Sequence, residues 1–224
     1  MIRRMTPVLA VAMVAAAFAA KAGSALADWS QKVNGLKSLQ ADISVATTGQ
    51  PARKYSVAMA KPSSLRIDND TETLTADGTT ITVYDKAKNY FYTRPQTEAE
   101  LKGLTSPDQY SLFRAFFDGK AFEGKTSRVG EAKALGGETV TPIQVADRPG
   151  APKTFTFYVS KDGLARKAEL LTVTSKGKSS SVLTAKNLVV DADLPTDAFA
   201  FKAPAGAEEV QYADLMANKW FTDL

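Results

Sequence analysis

The sequence predicts an α+β fold: a strongly curved, unclosed antiparallel β-sheet (a half-barrel) covered by inserted helices. Apolar residues alternate with polar ones along much of the chain, and turn residues separate these stretches at short intervals. An aromatic-rich helical pattern interrupts them near the middle. Because strands with a period of two present one apolar face, that face needs a cover, and the interrupting helices are the obvious one.

The N-terminal residues have the features of a secretory signal peptide. Arg3 and Arg4 precede an apolar stretch at 7–20, and Ala25-Leu26-Ala27 supplies the small residues of a cleavage site. The stretch is about 14 residues long, short of the ~20 that span a bilayer as a helix. We therefore expect a signal peptide at 1–27 and a periplasmic mature chain at 28–224, with an uncleaved anchor as the alternative.

The composition excludes several classes of function. Removing Arg3, Arg4 and Lys21 with the signal leaves 25 basic against 24 acidic residues, a balance that does not indicate nucleic-acid binding. The chain has no cysteine, so the fold has no disulfides. It also has no histidine, which removes the commonest general base and most zinc sites. We expect no enzyme activity, no cofactor and no metal.

The predicted elements begin with a helix from Asp28, because Trp29, Val33, Leu36 and Leu39 recur at helical spacing. The period then changes to two, which predicts a meander of about six short strands. These strands lie at 41–45, 55–59, 65–67, 73–75, 81–83 and 90–92. Turn residues separate them at 48–51, 61–63, 77–78 and 85–86.

A helix pair is predicted at 97–104 and 106–117, the second opened by Ser106 as N-cap and Pro107 as its first residue. Strands resume after it, at 140–145, 153–159, 164–174 and 179–190. A last helix is predicted at 212–221, within a C-terminal extension at about 211–224.

Three stretches stand out by their order and spacing: AKPSSLRI at 60–67, LTADGTTITVYD at 74–85 and LPTDAFAFKAPAGA at 194–207. Together they resemble the LolA family of periplasmic lipoprotein carriers. The resemblance implies a single domain built as an unclosed barrel with a helical lid, whose hydrophobic cavity shelters the acyl chains of a lipoprotein. Carriers of this family take their cargo from an inner-membrane releasing complex and pass it to an outer-membrane receptor. We expect such a carrier to be a monomer.

The chain departs from this family at Lys61, because carriers characteristically have an arginine before the proline of the first stretch. Lysine keeps the charge but loses the planar fork that bonds several carbonyls at once. Lys61 is therefore a candidate lid latch or headgroup contact, or else a solvated turn residue. The segment beyond Val210 is a second departure.

The candidate cavity residues are apolar side chains of the predicted strands and lid. One wall would consist of Tyr55, Val57, Met59, Leu65, Ile67, Ile81 and Val83, and another of Phe155 and Phe157. The lid would present Leu112, Phe113, Phe116 and Phe117. The alternative interpretation is that these residues fill a solid core.

Other motifs do not indicate catalytic or metal-binding sites. Residues 68–70, Asp-Asn-Asp, lack the glycine and the distal glutamate of a calcium loop. Asp77-Gly78 is turn chemistry, and Ser179–Ser181 beside Lys178 lack the spacing of a Ser-x-x-Lys nucleophile. The expected function is a periplasmic carrier of acyl chains of lipoproteins or lipids. The alternative is a non-enzymatic interaction or sensor module on the same scaffold.

Overall fold

The computed structural model describes residues 25–97, 118–120, 122–175 and 177–211. The chain divides into two compact units. The first comprises residues 1–34 and 115–180, and the second comprises residues 35–114 and 181–224. Among the described residues, no helix has the length and apolar character needed to cross a bilayer.

The second unit is an antiparallel meander closed off by a short parallel strand. Its strands are β1 (Ser38–Thr47), β2 (Arg53–Ala60), β3 (Ser64–Asp68), β4 (Glu72–Asp77), β5 (Thr80–Asp85), β6 (Tyr90–Pro95), the later part of β12 (Gly177–Val190) and β13 (Glu208–Glu209). The hydrogen-bonded order is β13-β6-β5-β4-β3-β2-β1-β12. All of these pairs are antiparallel except β13 with β6.

The first unit combines one helix with a smaller set of strands. Helix α1 ends at residue 35, and its described part begins at residue 25. The strands are β7 (Thr126–Val129), β8 (Lys133–Leu135), β9 (Glu138–Ala146), β10 (Lys153–Ser160), β11 (Ala165–Thr174) and the start of β12. The order is β12-β11-β10-β9-β7, and β8 pairs with β9.

The predicted fold class, α+β with an unclosed antiparallel sheet, is confirmed. β13 and β7 stand at the two ends of the strand order and do not pair with each other among the described strands. The cover by inserted helices is confirmed only in part: α1 is described, whereas 98–117 and 212–224 lie outside the described residues. The helices predicted at 97–104, 106–117 and 212–221 therefore stay predictions, and Thr97 itself is in no regular element.

Two details of the predicted elements are wrong. The helical spacing from Trp29 predicts a helix through Leu39, but α1 ends at Gly35 and Leu39 lies in β1, paired with Met59. Leu36 and Leu39 are both 2% exposed, so the apolar spacing reflects burial on both sides of a helix-to-strand junction. The short strands β7 and β8 have only four and three residues, too few to establish a period of two, and no sequence pattern predicts them.

The predicted turns are where hairpins need them. Gly78 has φ +101° and follows Asp77, whose Oδ1 accepts hydrogen bonds from the backbone N–H groups of Thr79 and Thr80. A residue with a β-carbon cannot adopt this backbone conformation without strain. Asp77 is thus engaged in shaping the β4–β5 hairpin, as predicted.

Candidate functional site

One face of the second unit carries apolar side chains across six adjacent strands. Strand register aligns them into two rows, because directly paired residues of antiparallel strands point to the same side. The first row is Ala41, Val57, Ile67, Leu74, Val83 and Tyr92. The second row is Leu39, Met59, Leu65, Ala76 and Ile81, and the charged Arg94 of β6 ends it. We call this surface the apolar face.

The side chains at the centre of the apolar face are buried, and those around the centre are partly exposed. Ala76 and Ile81 are both 0% exposed and form a buried cluster with Leu74 and Val83. Leu65, Ile67 and Tyr92 pack against this cluster but are only partly buried, as is Met59. A surface of this kind can accept further hydrocarbon without any rearrangement of its buried centre.

Tyr55 extends the apolar face on β2. It lies two residues before Val57, so it points to the same side, and it pairs with Ile43 of β1. Its ring is 6% exposed, and burial raises the pKa of its hydroxyl. The predicted meander wall is thus brought together on one face, and its role in lining a cavity stays a prediction.

The opposite face of β3 and β4 carries a charged network in place of apolar rows. Asp68 accepts hydrogen bonds from Arg66, Thr73 and Lys86. Burial raises the pKa of Asp68, but the hydrogen bonds from Lys86, Thr73 and Arg66 outweigh burial and hold the pKa below its usual value. Three donors thus engage both carboxylate oxygens of Asp68 and link β3 to Thr73 of β4 and to Lys86.

The residues after Asp68 form the predicted turn. Asn69 Oδ1 accepts hydrogen bonds from the backbone N–H groups of Thr71 and Glu72, both at 2.8 Å. This is an Asx turn, in which the side chain imitates a backbone acceptor.

Replacing Asp68 with asparagine is expected to destabilise the protein at pH 7 by about 1–2 kcal/mol, because charged hydrogen bonds are lost at a partly exposed site. A carboxyl whose pKa is lowered by folding stabilises the protein above its unfolded-state pKa of about 4 and loses that contribution as the pH falls through the lower, folded-state value. Urea denaturation across pH 2–7 should therefore show a flatter acid limb for Asp68→Asn than for the wild type.

Asp70→Asn serves as the control for this measurement, because Asp70 is two residues away and exposed. The control should keep the wild-type acid limb. An Asp68→Asn variant with the same pH dependence as the wild type would contradict the assignment of the network.

An aromatic cluster forms the centre of the first unit. Trp29 of α1 stacks on Phe157 of β10, with ring centroids 5.1 Å apart and planes at 24°. Phe122 meets Phe157 edge-on at 4.7 Å and Phe155 at 5.2 Å. Trp29 and Phe157 are each 1% exposed, whereas Phe155 is partly exposed. The structure thus places Phe157 of the predicted second wall against Trp29, and Phe155 against Phe122.

No sequence pattern predicts that Phe122 belongs to this cluster. It is a lone phenylalanine between Gly119 and Gly124, and no periodic pattern surrounds it. A large apolar residue inside a glycine-bounded loop is a signal that could have identified it, because such a residue usually needs a place to be buried.

Lys61 lies in an exposed turn that is anchored through its backbone. Its N–H donates to the carbonyl oxygen of Lys37 at 2.8 Å, and the Lys61–Pro62 peptide bond is cis. The roles proposed for its side chain, as a latch or a headgroup contact, stay predictions. The lid residues Leu112, Phe113, Phe116 and Phe117 lie outside the described residues.

Gln96 joins two of the three stretches that resemble LolA, and no sequence pattern indicated it. Its Nε2 donates to the carbonyl oxygen of Ser63 at 2.7 Å, and its Oε1 accepts from the N–H of Gly78 at 3.0 Å. One amide side chain at the end of β6 thereby holds the β2–β3 and β4–β5 turns together.

The third stretch, at 194–207, packs against β6 and leads into β13. Phe201 packs on Tyr84 and Phe91, which lie on the face opposite the apolar one. After β13 pairs with β6, Val210 packs on the buried cluster of the apolar face. The chain therefore passes from one face of the sheet to the other at β13 and covers the edge of β6 as it does so.

The chain matches a family model and a curated relative. The family model described as "Predicted periplasmic protein (DUF2092)" matches residues 36–213. An uncharacterized protein of Methanocaldococcus jannaschii is 26% identical over 193 residues, covering 84% of this chain and 53% of that protein. The chain thus spans about half the length of this curated relative.

Solved structures with a similar fold include an uncharacterized conserved protein from Thermus thermophilus, with 12% identity, coverage of 85% of this chain and 99% of that chain, and a TM-score of 0.53. MucB is 17% identical, with coverage of 82% and 64% and a TM-score of 0.52. A LolA superfamily protein from Nitrosomonas europaea is 12% identical, with coverage of 80% and 97% and a TM-score of 0.40.

The unclosed antiparallel fold expected from the three stretches is shared with the Thermus thermophilus protein and with MucB. The periplasmic location predicted from the N-terminal residues agrees with the description of the family and is confirmed, while the cleavage site after Ala27 stays a prediction. The family model covers well over half of the sequence. This chain belongs to the DUF2092 family of predicted periplasmic proteins.

Proposed function

We propose that this protein is a non-enzymatic periplasmic carrier that binds the acyl chains of lipids or lipoproteins non-covalently, in a lidded hydrophobic cavity walled by the apolar face of the second unit. The observation that carries the proposal is the partial exposure of Met59, Leu65, Ile67 and Tyr92 beside a fully buried centre. A solid core would bury such large side chains completely.

The energetics of this surface suit hydrocarbon. Each methylene taken out of water contributes about 0.8 kcal/mol, so a dozen methylenes contribute on the order of 10 kcal/mol before the costs of ordering the ligand. Binding of this kind needs no cofactor and no reactive side chain. Release would require a partner that exposes the face, as the inner-membrane and outer-membrane partners of LolA-like carriers would do.

The experiment that tests the proposal uses the full chain purified from its own periplasm. Native mass spectrometry followed by organic extraction should find a stoichiometric acylated species on the wild type. The double variant Leu65→Gln/Ile67→Gln should bind a fluorescent fatty acid at least about tenfold more weakly, because each side chain contributes on the order of 1 kcal/mol or more of apolar burial.

Val189→Gln is the matched control for the double variant. Val189 is 48% exposed on β12 and pairs with Gln40, whose side chain points away from the apolar face. This control should bind like the wild type. A clean apo mass for the wild type that persists after incubation with fatty acid and lipopeptide would overturn the carrier proposal.

The second candidate is an interaction module on the same scaffold, and the likeness to MucB favours it. MucB has been crystallised in complex with MucA(peri). In this case an envelope protein, in place of an acyl chain, would occupy the apolar face. Cross-linking in cells would then capture a protein through the wild type and Val189→Gln, but not through Leu65→Gln/Ile67→Gln, while extraction yields no lipid.

A further inference from the structure

Arg94 is a charged residue on the same side of the sheet as the apolar face. It pairs with Ile81, whose partner on the other side is Ala76, so its side chain stands at the end of the second row. Arg94 is partly buried. Tyr92 precedes it by two residues, points to the same side and packs against the buried cluster. Strand β6 thus places a guanidinium and a phenol at the border of an apolar surface.

The backbone around Arg94 is held by hydrogen bonds at the end of β6. The N–H of Gln96 donates to the carbonyl oxygen of Thr79 at 2.7 Å. The side-chain amide of Gln96 bonds both Ser63 and Gly78. Because a side chain of a paired strand changes face only when the register slips, Arg94 stays on the apolar side.

The acidic residues of this side lie away from Arg94. Glu72 and Asp85 pair with each other next to the first row, on the side of that row opposite to Arg94. Arg53 of β2 lies towards the same end, where it hydrogen-bonds Tyr55. Two carboxylates thus stand against one guanidinium at that end, so an anion on the apolar face has a lower electrostatic energy beside Arg94.

We propose that Arg94 is the headgroup site of the apolar face, and that its ligand is an acyl chain ending in an oxyanion, a carboxylate or a phosphate. The inference rests on the proposed function and names the class of its ligand. A guanidinium offers paired N–H donors to two oxygens of one anion, and such charge-assisted hydrogen bonds are stronger than those to neutral acceptors.

The hydrocarbon of such a ligand would extend from β6 towards β3. Arg94 and Leu65 lie three strand spacings apart in the strand order. At ~4.8 Å for each spacing this is about 14 Å, which a long acyl chain can reach. The tail would then contact Leu65 and Ile67. Acyl esters and amides carry no charge and form no ion pair with Arg94, so the site should favour anionic lipids over neutral acyl anchors.

The test measures the affinity of the full chain for two pairs of probes below their critical micelle concentrations. Each pair shares one acyl chain and differs in charge: palmitate with methyl palmitate, and palmitoyl lysophosphatidylglycerol with monopalmitoylglycerol. We expect the wild type to bind an anionic probe about tenfold more tightly than its neutral counterpart at low salt, and less so as the ionic strength rises. A preference within the first pair alone assigns a carboxylate, and within the second pair alone a phosphate.

Arg94→Gln should lose this preference and keep the affinity for both neutral probes. Arg94→Lys should keep part of the preference, because the charge remains and the planar fork is lost. Lys54→Gln is the matched control, since Lys54 is exposed on β2 and points away from the apolar face. The control should bind like the wild type. If Arg94→Gln fails to fold, Arg94→Lys and the wild-type preference decide the matter. An Arg94→Gln variant that folds and weakens for neutral and anionic probes alike would overturn the headgroup site.

The two proposals fail in different ways. A wild type that binds none of the four probes overturns both the carrier function and the headgroup site. A wild type that binds the neutral probes as tightly as the anionic ones overturns the headgroup site alone.

Discussion

Phe157→Ala is expected to lower the free energy of unfolding by about 3–5 kcal/mol. Phe157 is 1% exposed and lies on β10, where it pairs with Ile143 of β9 and Ala168 of β11. Its ring contacts both Trp29 and Phe122. Removing the ring leaves a cavity between a helix and a sheet, and such aromatic pairs add about 0.5–1.5 kcal/mol beyond burial.

The measurement is urea denaturation followed by far-UV circular dichroism and by tryptophan fluorescence. Leu171→Ala is the control in the same unit, because Leu171 is 39% exposed on β11. We expect the control to change stability by about 0.5 kcal/mol or less. A Phe157→Ala variant no less stable than this control would show that the aromatic cluster is not the packed centre of the first unit.

Ile81→Ala is expected to cost about 2–5 kcal/mol, and Ile81→Val about 0.5–1.5 kcal/mol. Ile81 is 0% exposed and pairs with Ala76, which is also 0% exposed. An alanine side chain is too short to fill the space that truncation of Ile81 would leave. Leu65, Ile67 and Val210 pack against the same cluster. Truncating Ile81 therefore removes packing contacts at the centre of the apolar face.

The graded pair of substitutions at Ile81 makes this prediction specific, because a packed centre responds in proportion to the volume removed. Val189→Ala is the control, since Val189 is 48% exposed in the same unit. Urea midpoints should rank Ile81→Ala below Ile81→Val and Ile81→Val below the control. Equal midpoints for the three variants would mean that the centre of the apolar face is not close-packed.

Local patterns of one or two residues were enough for most of the sheet. The alternation around Tyr55, Val57 and Met59 predicted a strand, and β2 spans all three. The Asp77-Gly78 pair predicted a hairpin turn, and the positive φ of Gly78 occurs there. These features depend on side-chain direction and backbone sterics within a few residues, so they can be predicted directly from the sequence.

Features that depend on distant partners could not be predicted in the same way. Leu39 continues a helical spacing in sequence but forms part of β1, because its backbone pairs with Met59. Gln96 links Ser63 to Gly78 although neither neighbour is near it in sequence. Phe122 joins Trp29 and Phe157 from an irregular loop.

The sequence by itself determined the periplasmic location, the fold class and the strands of the meander. The signal-peptide pattern, the turn residues and the two-residue periodicity are local properties, and they can be read from the sequence without any partner. Only the tertiary structure decided which apolar residues stay partly exposed, which strands pair in which register, and that Trp29 Nε1 is buried without an acceptor among the described residues. Exposure and hydrogen-bond satisfaction depend on what packs against a side chain from elsewhere in the chain, and that is settled when the chain has folded.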